Sequence, residues 1–175
     1  MHIKYDYHIH TTRCKHAAGE MEAYVEQAIR LGLQEIAFTD HIPLPGDFDI
    51  EHRMDRHELD DYVRSVSDLD CAYPEITILT GIEADYYEGF ETYTEKLLSQ
   101  YPFDVVLMAV HFIRHWPQGN WAFHYNFPEK QLYEVYADYL NIVSEGIKTG
   151  LFDVVAHLDL IKTADLPIIK HLVEP

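Results

Sequence analysis

Two hydrophobic rhythms alternate along this chain. Short apolar runs over residues 3–9, 35–39, 76–82, 104–110 and 152–156 have strand length, and the run at 76–82 is nearly continuous, as in a strand buried on both faces of a parallel sheet. Between these runs the apolar residues recur at helical spacing. Met21, Tyr24, Val25, Ala28 and Ile29 predict a helix over 20–31, with Glu20 and Glu22 in its first turn, Arg30 in its last and Gly32 to end it. Asp55 and Glu58 predict a capping box for a helix that shows Leu59, Tyr62, Val63 and Val66 on one side, and Pro74 closes that unit. A shorter helix after Gly89 carries Tyr93, Leu97 and Leu98. Pro128 suits the start of a long helix with Leu132, Val135, Tyr136, Tyr139, Leu140, Val143 and Ile147 along its buried stripe. Residues 164–175 read as the start of a further helical crossover. The order is βαβα, which predicts an α/β fold with a parallel sheet and helices outside it.

The chemistry lies in how the strands end. They run into His8 and His10, Asp40 and His41, Glu83, His111, and His157. In an extended strand His8 and His10 point to the same face, so both can serve one ion. His16 follows after a short loop and can reach a neighbouring ion. Metal-ligating residue types at the C-terminal ends of successive strands are the sequence signature of a β/α-barrel active site. Six histidines and one glutamate are too many for one tetrahedral zinc, and suit two to three divalent ions of the zinc, manganese or iron type. His2, His52, His57, His115, His124 and His171 lie away from strand ends and are set aside as solvated or packed side chains.

Composition narrows the function classes. The chain has 175 residues, 47% of them hydrophobic, with no repeat, linker or low-complexity tract, so one domain over 1–175 is expected. No apolar run approaches a membrane span of roughly 20 residues, and no signal peptide precedes the first strand, so a cytoplasmic protein is expected. Cys14 and Cys71 are expected to be reduced. A formal net charge of −17 argues against extended nucleic acid, whose phosphates it would repel. Bound divalent cations would reverse that sign in one pocket, so a small phosphorylated substrate remains compatible.

The stretches DYHIHTTRCKHAAGE, FTDH, GIEADYYEG, VLMAVHF and VVAHLDLIK resemble, in order and spacing, the polymerase-and-histidinol-phosphatase (PHP) superfamily. TGIEADYYEG, AVHFI and AHLDLIK are most similar to its histidinol-phosphatase branch. The resemblance implies a distorted (β/α)7 TIM-like barrel with up to three metals at its C-terminal mouth. It places His8, His10 and Glu83 on one metal. Glu83 bridges to a second, completed by His111 and His157, and His16 and His41 hold the third. Asp40 supports its neighbours without binding metal directly. The family finishes its site with an Asp-x-His motif on a late strand, and this chain ends before such a strand. An incomplete barrel of about five βα units is therefore expected, with the motif supplied by a missing C-terminal segment or a second chain.

The reaction so implied is hydrolysis of a phosphoric monoester, L-histidinol phosphate, in histidine biosynthesis. Metals would acidify a water so that hydroxide attacks phosphorus, with no serine or cysteine nucleophile. Arg13, Lys15 and Arg114 are candidate phosphate contacts, and the aromatic stretch 112–127 is either a flap over the substrate or packing at the rim. The alternatives are another phosphoesterase of the superfamily, acting on nucleotides or as an exonuclease, and a non-catalytic metal-binding fragment or subunit of a split enzyme.

Overall fold

The computed structural model describes residues 3–113, 121–122 and 132–163. It contains five parallel strands in sequence order: β1 (Tyr5–Ile9), β2 (Glu35–Phe38), β3 (Thr77–Asp85), β4 (Val105–Ala109) and β5 (Val154–Val155). Four helices connect or cover them: α1 (Met21–Leu31), α2 (Leu59–Ala72), α3 (Glu91–Leu98) and α4 (Leu132–Lys148). Gly32 closes α1 with a left-handed backbone (φ 76°). The capping box is present, with Asp55 N–H donating to Glu58 Oε2 at 2.8 Å, but its first turn, Arg56–Glu58, is a 3-10 turn that leads into α2. The expected start of the fourth helix at Pro128 and the crossover at 164–175 lie outside the described residues.

Alternation along the strands sorts the core into layers. Ile36, Phe38, Ile78, Ile82 and Ala84 face outward and pack with Val25 and Ala28 of α1 and Leu59, Tyr62 and Val66 of α2. Met108 and Val110 meet Val135, Tyr139 and Val143 of α4 in a second cluster. The opposite phase, Ala37, Leu79, Val105 and Leu107 with Tyr7 and Ala156, fills the inner face. Gly81 belongs to this inner phase, where a Cβ would lie 2.6 Å from Thr39 Cγ2 and 2.8 Å from the Phe38 carbonyl oxygen, so β2 and β3 can approach only at glycine. Tyr62, fully buried, donates its hydroxyl to the carbonyls of Phe38 (2.7 Å) and Gly81 (2.8 Å) and ties those strands to α2.

The sheet curls into a partial barrel. In a flat sheet β1 and β5 would stand about four strand spacings apart, roughly 19 Å. Instead the rings of His8, in β1, and His157, just past β5, lie 5.9 Å apart. Among the described residues β1 and β5 do not pair with each other, so this parallel α/β barrel is incomplete, as expected.

Candidate metal centre

The seven residues expected to cluster do so. His8, His10, His16, His41, Glu83, His111 and His157 line one cavity of about 380 Å³ at the C-terminal ends of the strands. Glu83 is at its centre, fully buried, because β3 carries the inner phase of Leu79 and Gly81 upward to it. Its Oε2 lies 3.1 Å from His8 Nε2, 3.2 Å from His10 Nε2 and 3.2 Å from His41 Nδ1. Its Oε1 lies 3.1 Å from His157 Nε2 and 3.7 Å from His111 Nε2. A single carboxylate thus faces five imidazoles. His16 completes the ring on the far side, with its centroid 5.2 Å from His10 and 5.1 Å from His41.

The backbone sets these positions. A register shift interrupts β1 between Asp6 and Ile9, yet His8 and His10 still converge, with ring centroids 5.0 Å apart. Past β2 the ladder continues as Glu83 N–H to Asp40 O (2.9 Å) and Ile42 N–H to Glu83 O (2.9 Å), which sews His41 beside Glu83. Asp40 accepts from Thr11 N–H (2.6 Å) and from the Thr11 hydroxyl, and its Oδ1 stands 3.8 Å from His10 Nδ1. It ties down the β1 loop and does not line the cavity, although its carboxylate lies within 4.8 Å of ligand atoms of His10 and Cys14.

The donors fit cations. His10 Nδ1, His41 Nδ1, His157 Nδ1 and Glu83 Oε1 are buried and make no hydrogen bond. Several of the close nitrogen–oxygen approaches around Glu83 lack hydrogen-bond alignment, as when lone pairs converge on a shared point. Ligand atoms of His8, His10 and Glu83, of His10, His16 and His41, and of His41, Glu83 and His111 fall in groups within 4.8 Å. Charge is unevenly placed among them. Burial alone would push the Glu83 carboxyl up, but the close imidazoles of His10, His157 and His8 hold it well below the usual range. His10 is opposed by burial yet raised to about 11 by Asp40, Cys14 and Glu83. His41 is held well below the ordinary imidazole value by burial, against the pull of Glu83.

Two residues at the site escaped the sequence reading. Asp85 Oδ1 accepts from His111 Nδ1 (2.8 Å) and from His111 N–H (3.2 Å). Arg53, almost wholly buried, pairs with Asp85 Oδ2 at 2.6 Å. The available signal for Asp85 was its place two residues after Glu83, in the same strand phase; nothing in the sequence singles out Arg53.

The expected phosphate contacts are placed elsewhere. Arg13 donates to Asp61 (2.8 Å) and Ser65 (3.1 Å), and Lys15 to the Ile50 carbonyl (2.7 Å) and Asp55 (2.9 Å); neither lines the cavity. Arg114 lies outside the described residues. Of the aromatic stretch, Phe112 is buried and packs on Trp121 at 4.4 Å between centroids, the packing arrangement. Cys14 and Cys71 are both free thiols, and Cys14 donates to the Thr11 carbonyl at 2.8 Å. Among the described residues no helix is long and apolar enough to cross a membrane.

A partial parallel β/α barrel with a histidine-and-carboxylate cluster at its mouth defines a class of metal-site domain. The PHP domain family model matches residues 6–174, and the chain belongs to that family. It is 34% identical over 158 residues to a probable histidinol-phosphatase of Deinococcus radiodurans, covering 90% of this chain and 61% of that protein. It is 35% identical over 120 residues to the histidinol-phosphatase of Bacillus subtilis, covering 63% of this chain and 45% of that protein. A crystal structure of histidinol phosphate phosphatase from Lactococcus lactis, complexed with zinc, L-histidinol and phosphate, superposes with a TM-score of 0.72 at 23% identity, covering 95% of this chain and 61% of that one. At that identity the likeness is one of fold. The chain spans about three fifths of the length of the Deinococcus relative, 61%.

Proposed function

We propose that this chain belongs to a metal-dependent phosphomonoesterase that hydrolyses L-histidinol phosphate. The observation that carries the proposal is Glu83, one buried carboxylate facing five imidazole nitrogens within 3.7 Å. The named relatives, and the ligands of the Lactococcus structure, support the choice of substrate. His8, His10, His16, His41, Glu83, His111 and His157 would hold two to three divalent ions. Such ions, when bound, supply an acidified water and neutralise charge on a transferring phosphoryl group. The chain's own side chains hold the geometry. Glu83 offers both oxygens to different sides of the cavity, Asp85 holds His111 with its Nε2 inward, and Asp40 fixes the turn that carries Thr11. Among the described residues the cavity is open on one side, which suits a small phosphate ester, and the net charge of −17 disfavours a long polyanion.

No Asp-x-His sequence follows β5 in this chain, and the resemblance assigns a ligand pair to such a motif. A segment carrying the motif, fused or added in trans, is expected to raise the rate. The test is hydrolysis of histidinol phosphate, nucleoside monophosphates and single-stranded oligonucleotides with added Mn²⁺ or Zn²⁺. Histidinol phosphate is expected to be preferred, with activity lost in EDTA and in Glu83→Gln. A preference for nucleotides would assign another phosphoesterase activity. Hydrolysis that survives both EDTA and the substitution would overturn the metal reading.

A further inference from the structure

Behind Asp85, away from the histidine cluster, a buried ionic relay extends to residues that the proposed reaction does not use. Arg53 lies in it, 1% exposed. Its Nη1 meets Asp85 Oδ2 at 2.6 Å and the Ile42 carbonyl at 3.3 Å, its Nε donates to Asp49 Oδ2 at 2.9 Å, and its guanidinium stands 5.8 Å from the Phe112 ring centroid. Asp49 has a left-handed backbone (φ 56°), precedes the 3-10 turn Ile50–His52 and accepts from His52 Nδ1 at 2.7 Å. The relay therefore starts in the loop of residues 45–53 and ends, through Asp85, on His111.

We propose that Arg53 is a positioning residue for the metal centre, acting through Asp85 on His111, and that Asp49 makes this action depend on the 45–53 loop. The inference rests on the reading of His111 as a metal ligand. The imidazole needs its Nε2 lone pair free and its ring held. Asp85 Oδ1 supplies this by accepting from Nδ1, which fixes the tautomer. A carboxylate held through one oxygen can still swing about its Cβ–Cγ bond. Arg53 Nη1 faces the other oxygen at 2.6 Å as an ion pair without hydrogen-bond alignment, and its charge, anchored through Nε on Asp49, opposes that rotation.

A purely structural role accounts for the relay poorly. Two buried aspartates and one arginine are costly to desolvate, and apolar residues of similar volume often stabilise a core as well or better. What apolar residues cannot do is aim Oδ1 at His111. The result is a ligand nitrogen 3.7 Å from Glu83 Oε1, both acceptors, facing each other across a gap of cation size.

The test uses the 175-residue chain. Zn²⁺ affinity is measured by chelator competition, ligand geometry by the visible spectrum of the Co²⁺ form, and the His111 tautomer by ring ¹⁵N shifts. Arg53→Met is expected to weaken Zn²⁺ binding by about 10–100-fold, the usual cost of losing an outer partner of a ligand, to change the Co²⁺ spectrum, and to mix the His111 tautomers. Arg53→Lys is expected to fall between this variant and the parent, and Arg13→Met to match the parent. If Arg53→Met does not fold, Arg53→Lys decides by the same readouts. Parent-like affinity, spectrum and tautomer in the folded Arg53 variants would overturn the inference alone. Failure of both variants to fold would assign Arg53 to stability and overturn it as well. A parent chain that binds no Zn²⁺ would instead sink the metal reading beneath it.

Discussion

The central strands and the flanking strands offer the same chemistry to one cavity, but they hold it in different ways. At β2, β3 and β4 the side chains of His41, Glu83 and His111 are 9%, 0% and 8% exposed. They are fixed by the backbone ladder between Asp40 and Ile42 and Glu83, by the Tyr62 hydroxyl, and by Asp85. At the flanks, His8 and His157 are 34% and 22% exposed. Each reaches Glu83 at 3.1 Å. The centre is organised by the protein itself. The flanks take their order from the shared carboxylate and from whatever binds between them.

The sharpest way to break this contrast is to remove packing on each side. Ile82→Ala, at a fully buried outward position of β3, is expected to cost about 2–5 kcal/mol in chemical denaturation. Val154→Ala, in the short and half-exposed β5, is expected to stay within about 0.5 kcal/mol. Equal losses at the two sites would show that the flank is as well packed as the centre.

Metal should act in the opposite sense. Zn²⁺ at about a hundred times its Kd is expected to stabilise the chain by roughly 2.7 kcal/mol, and EDTA to reverse this. Hydrogen-exchange protection should rise more around His8 and His157 than along β3. Imidazole must be deprotonated to bind, and His10 and His157 hold their protons more tightly than a free imidazole, His10 up to about 11, so the gain should grow towards alkaline pH and fade on acidification. A uniform gain in protection, or one that grows on acidification, would contradict the division into an organised centre and dependent flanks.

A smaller effect tests one tie within the centre. Tyr62→Phe leaves the buried carbonyls of Phe38 and Gly81 without their shared donor, at a cost of about 1–3 kcal/mol in thermal or chemical unfolding. Because those carbonyls sit just below the site, weaker Zn²⁺ binding should accompany the loss of stability. Unchanged metal affinity would uncouple the strand tie from the cluster.

The same division decided what the sequence could tell. The ring of seven was legible because each member ends a strand, and strand ends follow from hydrophobic runs and turn residues. The third strand was expected to stop at residue 82, before Glu83, yet β3 runs on through Asp85. Ending it early hid Asp85, which shares the phase of Glu83. Arg53 was illegible for a different reason. It lies in a loop of 3-10 turns, and its burial comes from Asp49, Asp85 and Phe112, partners that no local pattern joins to it. Phase 2 and phase 3.6 report the layers of a barrel, and they are silent on loops folded over its rim. The flanking strand β5 was overestimated, at 152–156 against Val154–Val155, because its apolar residues had the composition of a strand without a second neighbour among the described residues.

The smallest expected effect concerns a residue for which proximity in sequence and position in space disagree. Lys15 stands between two cluster histidines in the numbering, Cys14 apart, which made it a candidate for phosphate. In the fold its backbone has turned left-handed (φ 65°) and its ammonium is committed to the Ile50 carbonyl and the Asp55 carboxylate. Both members of that ion pair are about a third exposed, so the pair is worth at most about 1 kcal/mol. Lys15→Met is therefore expected to shift stability by less than that and to leave KM for histidinol phosphate unchanged, since its charge points away from the cavity. A rise in KM with kcat unaltered would mean that Lys15 leaves Asp55 to bind the ester, and that the β1 side of the mouth, like its histidines, is arranged by its ligand.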